Sequence, residues 1–383
     1  MINKLNHIID EYIQKYNLSC SIYIKLEENI IERTNGLADR ELNKQITLDS
    51  FFPIASITKT IFTVTFLKAL DFYKFNLSVI DKPLNLIVGN DFWVGYKLTP
   101  PKWFNEITIK QCLSHTSGLP CLSDGLEFWS YHHEHLSYKN QLKLLSELKQ
   151  ENKGRFHYSN AGFWLVSIIF KHLFKIHWYE FALKHVFEPL GLKEIYYLKN
   201  STRNNPLNLP GNLSYAYGYT YDNNQFTKCK DWSLDFAGPA YGLVSNITQI
   251  AKFFSGFLEG NLLTSNSKKL MLTPIECDYG LGINIVKMNG KTVYYHNGGM
   301  DGMSSSARYI PDKNATIVIL GNSTFDYTEY VKGLVNEKNL SPNSLEEELE
   351  EALYKKLPQM KLNYINSTIY KLTEELISAI TKS

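Results

Sequence analysis

Strand-forming segments stand towards both ends of this 383-residue chain, and helix-forming segments fill its middle. Cys20 to Glu27 (CSIYIKLE) and Asn29 to Arg33 read as a strand pair across a short turn. Gly280 to Lys287, Thr292 to His296, Ser304 to Ile310 and Thr316 to Leu320 read as a second, later set. Between them, apolar residues recur at helical spacing over about 57–70, 107–113, 142–148, 161–174, 178–190 and 247–258. The first of these carries Ile57, Ile61, Phe62, Val64, Phe66 and Leu67 around most of its circumference, so it is expected to be buried. A strand pair at one end, completed by strands from the other, encloses a helical insertion. That is an α+β arrangement. The expected organisation is an α/β lobe from 1–75 and 225–336, a mostly helical lobe at 76–224, and a C-terminal helical extension at 337–383.

Composition narrows the function classes. Hydrophobic residues make up 44% and charged residues 20%, which is enough apolar material for a sizeable core. A net charge of +2 argues against a strongly basic nucleic-acid binder. The five cysteines have no C-x-x-C spacing, so neither a zinc nor a thioredoxin-like reading has support. Tyr131-His132-His133-Glu134-His135 puts two histidines three apart, but no further cluster accompanies them; no metal or cofactor is expected. Residues 1–16 form an amphipathic helix rather than a signal peptide, and no apolar run is long enough to span a membrane. The expectation is therefore a cytoplasmic protein. A capping box at Ser344 to Glu347 opens one further helix, and Ile369, Leu372, Leu376, Ile377 and Ile380 mark another. Their apolar faces suit docking on the body or a homo-oligomer contact; spacing leaves both open.

Three short motifs carry chemistry. Ser56-Ile57-Thr58-Lys59 sets a hydroxyl and an amine on one face at the start of a buried helix. A desolvated Lys can lose its proton and act as base to such a Ser. The same pattern at Ser265 to Lys268 lies in a polar stretch with no strand before it. Tyr158-Ser159-Asn160 precedes the apolar run AGFWLVSIIF. A Tyr there could shuttle a proton if nearby cations lower its pKa, and a plain Ser/Asn helix cap explains the local pattern as well. His296-Asn297-Gly298-Gly299 ends the strand TVYYH. Its glycines suit close backbone approach or a hairpin turn.

The order 56, 158, 296, with each motif in its own context, resembles the serine β-lactamase and penicillin-binding-protein superfamily. The likeness is to its class C-like branch of D,D-peptidases and esterases. Phe52 to Ser56, Leu113 to Pro120, Tyr241 to Ser245 and HNGGMDGMSS add to it, over roughly Leu5 to Asn322. The resemblance implies a β-lactamase/transpeptidase-like fold, with an antiparallel sheet flanked by helices. It implies a serine hydrolase with an acyl-Ser56 intermediate on an ester or peptide substrate. An acyltransferase using the same intermediate, or a slowly turning-over sensor, would share the first step. In that frame Ser56 is the nucleophile, Lys59 its base and Tyr158 the proton relay. Asn160 binds the substrate carbonyl side, His296 fills the third motif, which this family writes as K-T-G or H-x-G and where many β-lactamases have Lys, and Gly298 and Gly299 line the cleft. The N–H groups of Ser56 and Gly299 form the oxyanion hole. A His in place of Lys weakens the positive charge that would hold a carboxylate, which favours esters or peptides over β-lactams.

Overall fold

The computed structural model of the chain describes every residue except 90, 122–136, 203, 207–208, 210–212, 223–224, 232, 326–367 and 383. The elements that matter below are, in chain order, helix α1 (Ile2–Tyr16), strands β1 (Cys20–Leu26) and β2 (Asn29–Asn35), and helices α2 (Ile57–Phe72), α3 (Asn160–Phe174) and α4 (Ile247–Glu259). They continue with strands β3 (Asn284–Met288), β4 (Lys291–Met300), β5 (Met303–Ile310) and β6 (Ala315–Gly321), then helix α5 (Thr368–Thr381).

The six strands form one antiparallel sheet in the order β3-β4-β5-β6-β1-β2. Cys20 pairs with Gly321 and Leu26 with Ala315, so an early strand and a late one meet inside the sheet. Strand β6 shows why a continuous apolar run is needed there. Ile317 and Ile319 face α1 and α5, while Val318 and Leu320 face the main core that holds α2 and α4. With a side-chain period of two, both faces of a doubly covered strand must be apolar.

Helix α2 is buried nearly all round and packs against α3 through Phe62 on Phe163 (ring centroids 6.1 Å apart) and Phe66 on Phe170 (6.2 Å). Strand β3 begins at Asn284 rather than Gly280. Gly282 stands at φ +64°, and a Cβ there would lie 2.2 Å from Thr63 Oγ1, so this stretch presses on α2 instead of entering the sheet. The glycines after His296 are strand rather than turn: β4 runs on to Met300, and the chain reverses at Asp301 and Gly302. Tyr219–Asp222 pairs with Gln225–Lys228.

On the outer face of the sheet, α5 lies beside α1. Ile369, Leu372, Leu376, Ile377 and Ile380 are buried there, so this apolar stripe is used within the chain. Each such side chain contributes about 1.5–3 kcal/mol when fully buried. The helix expected after Ser344 and the histidine cluster at 132–135 lie outside the described residues. Among the described residues, no helix is long and apolar enough to cross a membrane.

Candidate active site

A strand-to-helix turn presents Ser56. Phe52 and Pro53 pair with Ser245 and Val244, and Ile54 N–H donates to Leu243 O at 2.9 Å. Ala55 then takes φ +47°, a left-handed conformation that costs a non-glycine residue roughly 1–2 kcal/mol. Ser56 caps α2, and Thr58 N–H closes the turn onto Ala55 O at 3.0 Å. Strand β4 packs tightly behind it. A Cβ on Gly298 would lie 2.2 Å from Ser305 Oγ, 2.6 Å from Ile54 O and 2.9 Å from Ala55 Cβ. Only a glycine lets the strand come this near the turn that holds Ser56.

One turn into α2, Lys59 is fully buried. Its Nζ lies 3.1 Å from Ser56 Oγ, 2.7 Å from Asn160 Oδ1 and 2.8 Å from Ala240 O. The rings of Tyr158, Phe163 and Tyr241 stand 4.7, 5.4 and 5.9 Å from it. Burial lowers its pKa to about 7. Nζ donates to all three oxygens as the ammonium; on losing a proton it keeps two N–H groups for the two carbonyl oxygens, which can only accept, and its lone pair then faces Ser56 Oγ.

Tyr158 sits just before α3, and its hydroxyl hydrogen-bonds Ser56. Burial raises its pKa above the ordinary value. It is therefore a neutral phenol, and the expected cationic lowering is not what its surroundings produce. The His115 ring packs against it at a tilt of 34°, with ring centroids 4.2 Å apart. His115 Nδ1 accepts from Ser159 N–H at 3.0 Å, and this bond fixes the start of α3. Burial, followed by the nearness of Lys59, lowers the His115 pKa well below normal.

Asn160 is occupied on both sides. Its Oδ1 accepts from Lys59, and its Nδ2 donates to Cys121 Sγ at 3.3 Å. In the free site it positions Lys59 rather than presenting an open amide.

His296 is only 3% exposed and faces inward. Its Nδ1 bonds Asn297 O at 2.5 Å, and its Nε2 lies 3.0 Å from the Tyr279 hydroxyl. A carbonyl only accepts, so Nδ1 carries the proton and Nε2 accepts from Tyr279. Burial, with Lys59 nearby, lowers its pKa to about 3. The third motif thus places a neutral, internally bonded imidazole beside the Ser56 cluster.

The structure brings Ser56, Lys59, Tyr158 and Asn160 into one bonded cluster, with Gly298 against its turn and His296 beside it. Sequence reasoning missed Tyr279, Tyr241, the Ala240 carbonyl and Tyr370. Only Tyr241 carried a signal, as the first residue of the phrase that ends at Ser245. Among the described residues, no group of three His, Cys, Asp or Glu side chains is placed to hold a metal.

The sequence family described as Beta-lactamase matches residues 22–338. A penicillin-binding protein of Bacillus subtilis (strain 168) is 25% identical over 293 residues, covering 68% of this chain and 63% of its own length. The unguisins hydrolase of Aspergillus campestris (strain IBT 28561) is 23% identical over 303 residues, covering 74% of this chain and 54% of its own. The chain thus spans about three-fifths of the length of these curated relatives. Among solved structures, D-amino acid amidase from Ochrobactrum anthropi SV3, complexed with L-phenylalanine amide, superposes with a TM-score of 0.69 at 20% identity. That match covers 85% of this chain and 92% of the amidase. A penicillin binding protein from Bacillus halodurans gives 0.66 at 22% identity, covering 83% and 95%. With the match running through most of the chain, and a six-stranded antiparallel sheet flanked by helices beneath it, this protein belongs to the beta-lactamase family.

Proposed function

We propose that this chain is a serine hydrolase that forms an acyl-Ser56 intermediate on an amide or ester substrate. The observation that carries this reading is the buried Lys59 amine, held against Ser56 Oγ with its pKa lowered to about 7. A neutral amine takes the Ser56 proton as Oγ bonds to the substrate carbonyl carbon. The N–H groups of Ser56 and Gly299 receive the developing oxyanion. Tyr158, kept as a phenol, gives its proton to the leaving oxygen or nitrogen as that bond breaks, and Lys59 returns a proton to it. Water then attacks the acyl carbonyl by the reverse route.

The neutral state of His296 bears on the substrate. A fixed cation for a carboxylate is missing at this position, which favours uncharged ester or peptide acyl groups over β-lactams. The amidase and hydrolase names among the relatives point the same way, and the two penicillin-binding-protein names point to β-lactams instead. Peptide or small-molecule substrates in the cytoplasm fit this reading. Intact-protein mass after exposure to a fluorophosphonate tests it. One adduct on wild type and none on Ser56→Ala supports the nucleophile; no adduct on wild type refutes it.

A further inference from the structure

Residues 22–338 carry the family match, yet a side chain from beyond them reaches the third motif. Tyr370, near the start of α5, donates from its hydroxyl to Gly298 O at 2.8 Å. A Cβ placed on Gly299 would lie 3.3 Å from the same hydroxyl. Tyr370 is also close enough to Tyr158 to influence it electrostatically.

The bond is notable for the peptide it touches. Gly298 C=O and Gly299 N–H are the two ends of one amide, and among the described residues no peptide bond is cis. In a trans amide they point in opposite directions. A donor on the oxygen withdraws electron density through the amide resonance and makes the N–H at the other end a stronger donor. Ser305 Oγ, 3.4 Å from the same oxygen, is a longer contact and spends its hydrogen on Ile54 O at 2.8 Å. Of these two side chains, Tyr370 thus makes the short bond to this carbonyl, in addition to the ladder pairing of Gly298 with Ser305.

We propose that Tyr370 is a positioning residue of the oxyanion hole, whose hydroxyl polarises the Gly298–Gly299 peptide and strengthens Gly299 N–H towards the reacting carbonyl. This rests on the acyl-Ser56 reading above. Cooperative strengthening amounts to about 10–30% per bond, and removing a whole oxyanion donor costs about 10²–10³ in rate. Losing the Tyr370 hydroxyl should therefore slow acylation about two- to eightfold, with KM little changed.

The test uses the full chain and p-nitrophenyl butyrate, isotope-labelled at the carbonyl carbon. Wild type and Tyr370→Phe are compared in the acylation burst and in the infrared stretch of the acyl-enzyme carbonyl. The phenylalanine keeps the ring that packs on the sheet. The expected result is a slower burst and a carbonyl band moved to higher wavenumber, as polarisation weakens. If wild type is acylated at Ser56 and Tyr370→Phe matches it in rate and band, this inference alone falls. A lower melting temperature with an unmoved band means that the hydroxyl only docks the helix, and overturns it equally. If wild type shows no adduct at Ser56, the acyl-enzyme reading falls and takes this inference with it.

Discussion

Lys59 and Asn160 lie 101 positions apart in the chain, and 2.7 Å separates Nζ from Oδ1. The amide oxygen and the Ala240 carbonyl together fix the amine where its remaining site faces Ser56. Helices α2 and α3 hold the two residues from opposite walls, so the register of their packing sets the site.

The first prediction concerns the pH dependence of acylation. Only neutral Lys59 can act as base, and its pKa is lowered to about 7. The acylation rate should rise about tenfold per pH unit below that value and level off above it. Lys59→Met should lose this limb along with most of the activity. Stopped-flow acylation across pH 5–9 checks both; a profile flat through pH 7 rejects Lys59 as the base.

The same amine shapes stability. Its pKa is lowered from 10.5 to about 7 on folding, so between those values the unfolded chain binds the proton and the folded chain does not. Stability should therefore rise with pH through that window, at up to about 1.4 kcal/mol per unit from this group. Below the window both states are charged and the contribution is flat. The lowered His115 and His296 act at more acidic pH, whereas buried Cys20 and Cys112, raised to about 12, oppose the gain above pH 9 in wild type and variant alike. Urea unfolding at pH 7 and 9 should show wild type gaining on Lys59→Met by on the order of 1–3 kcal/mol. An equal response in both proteins contradicts the buried amine.

Tyr158→Phe should separate leaving groups. A phenol that protonates the departing atom matters most when that atom is a poor leaving group. Amide cleavage should fall about 10²–10⁴-fold, while an activated nitrophenyl ester loses far less. Equal losses on the two substrates would remove Tyr158 from the proton path.

Tyr279→Phe removes the donor to His296 Nε2 and leaves a buried acceptor unpaired. The cost should be about 1–3 kcal/mol of stability, read from the unfolding midpoint. In wild type, the His296 ring signals should not titrate between pH 5 and 9, because its pKa is lowered to about 3. A nuclear magnetic resonance titration with a midpoint near 6.5 would refute the buried neutral imidazole.

Gly298→Ala would place a methyl group 2.2 Å from Ser305 Oγ and 2.6 Å from Ile54 O. Strand β4 must back away from the Ser56 turn, at about 1–3 kcal/mol. Acylation should drop at least tenfold, since an ångström of misplacement can cost about 10²-fold. A variant with wild-type rate and melting temperature would show that the strand has room to spare.

How much of this was legible depended on whether the information is local. Ser56 and Lys59 share a helix face because three residues nearly complete a turn, so their partnership is written in the spacing. The buried character of α2 and the strand β6 were readable because periodicity records how many faces are covered. Contacts made across the fold were not readable. Ala240 meets Lys59 through a backbone carbonyl, which any residue would supply. Tyr279 is one of 25 tyrosines, and nothing near it hints at His296. The glycines of β4 fit a turn or a closely packed strand equally until Ile54 and Ser305 are seen behind them. The stripe on α5 has the same pattern whether it docks on its own sheet or on another chain, and only its burial against α1 distinguishes the two.

The position of α5 also sets a timetable. Strand β6 ends at Gly321 and α5 starts at Thr368, a separation of 368 − 321 = 47 positions. At about 5–20 residues per second, a ribosome takes roughly 2–10 seconds to cover that distance. Throughout it Ile317, Ile319 and their neighbours can form a sheet whose outer apolar face is covered by α1 alone, and a holding chaperone or a second nascent chain has that long to find the part that α5 later covers.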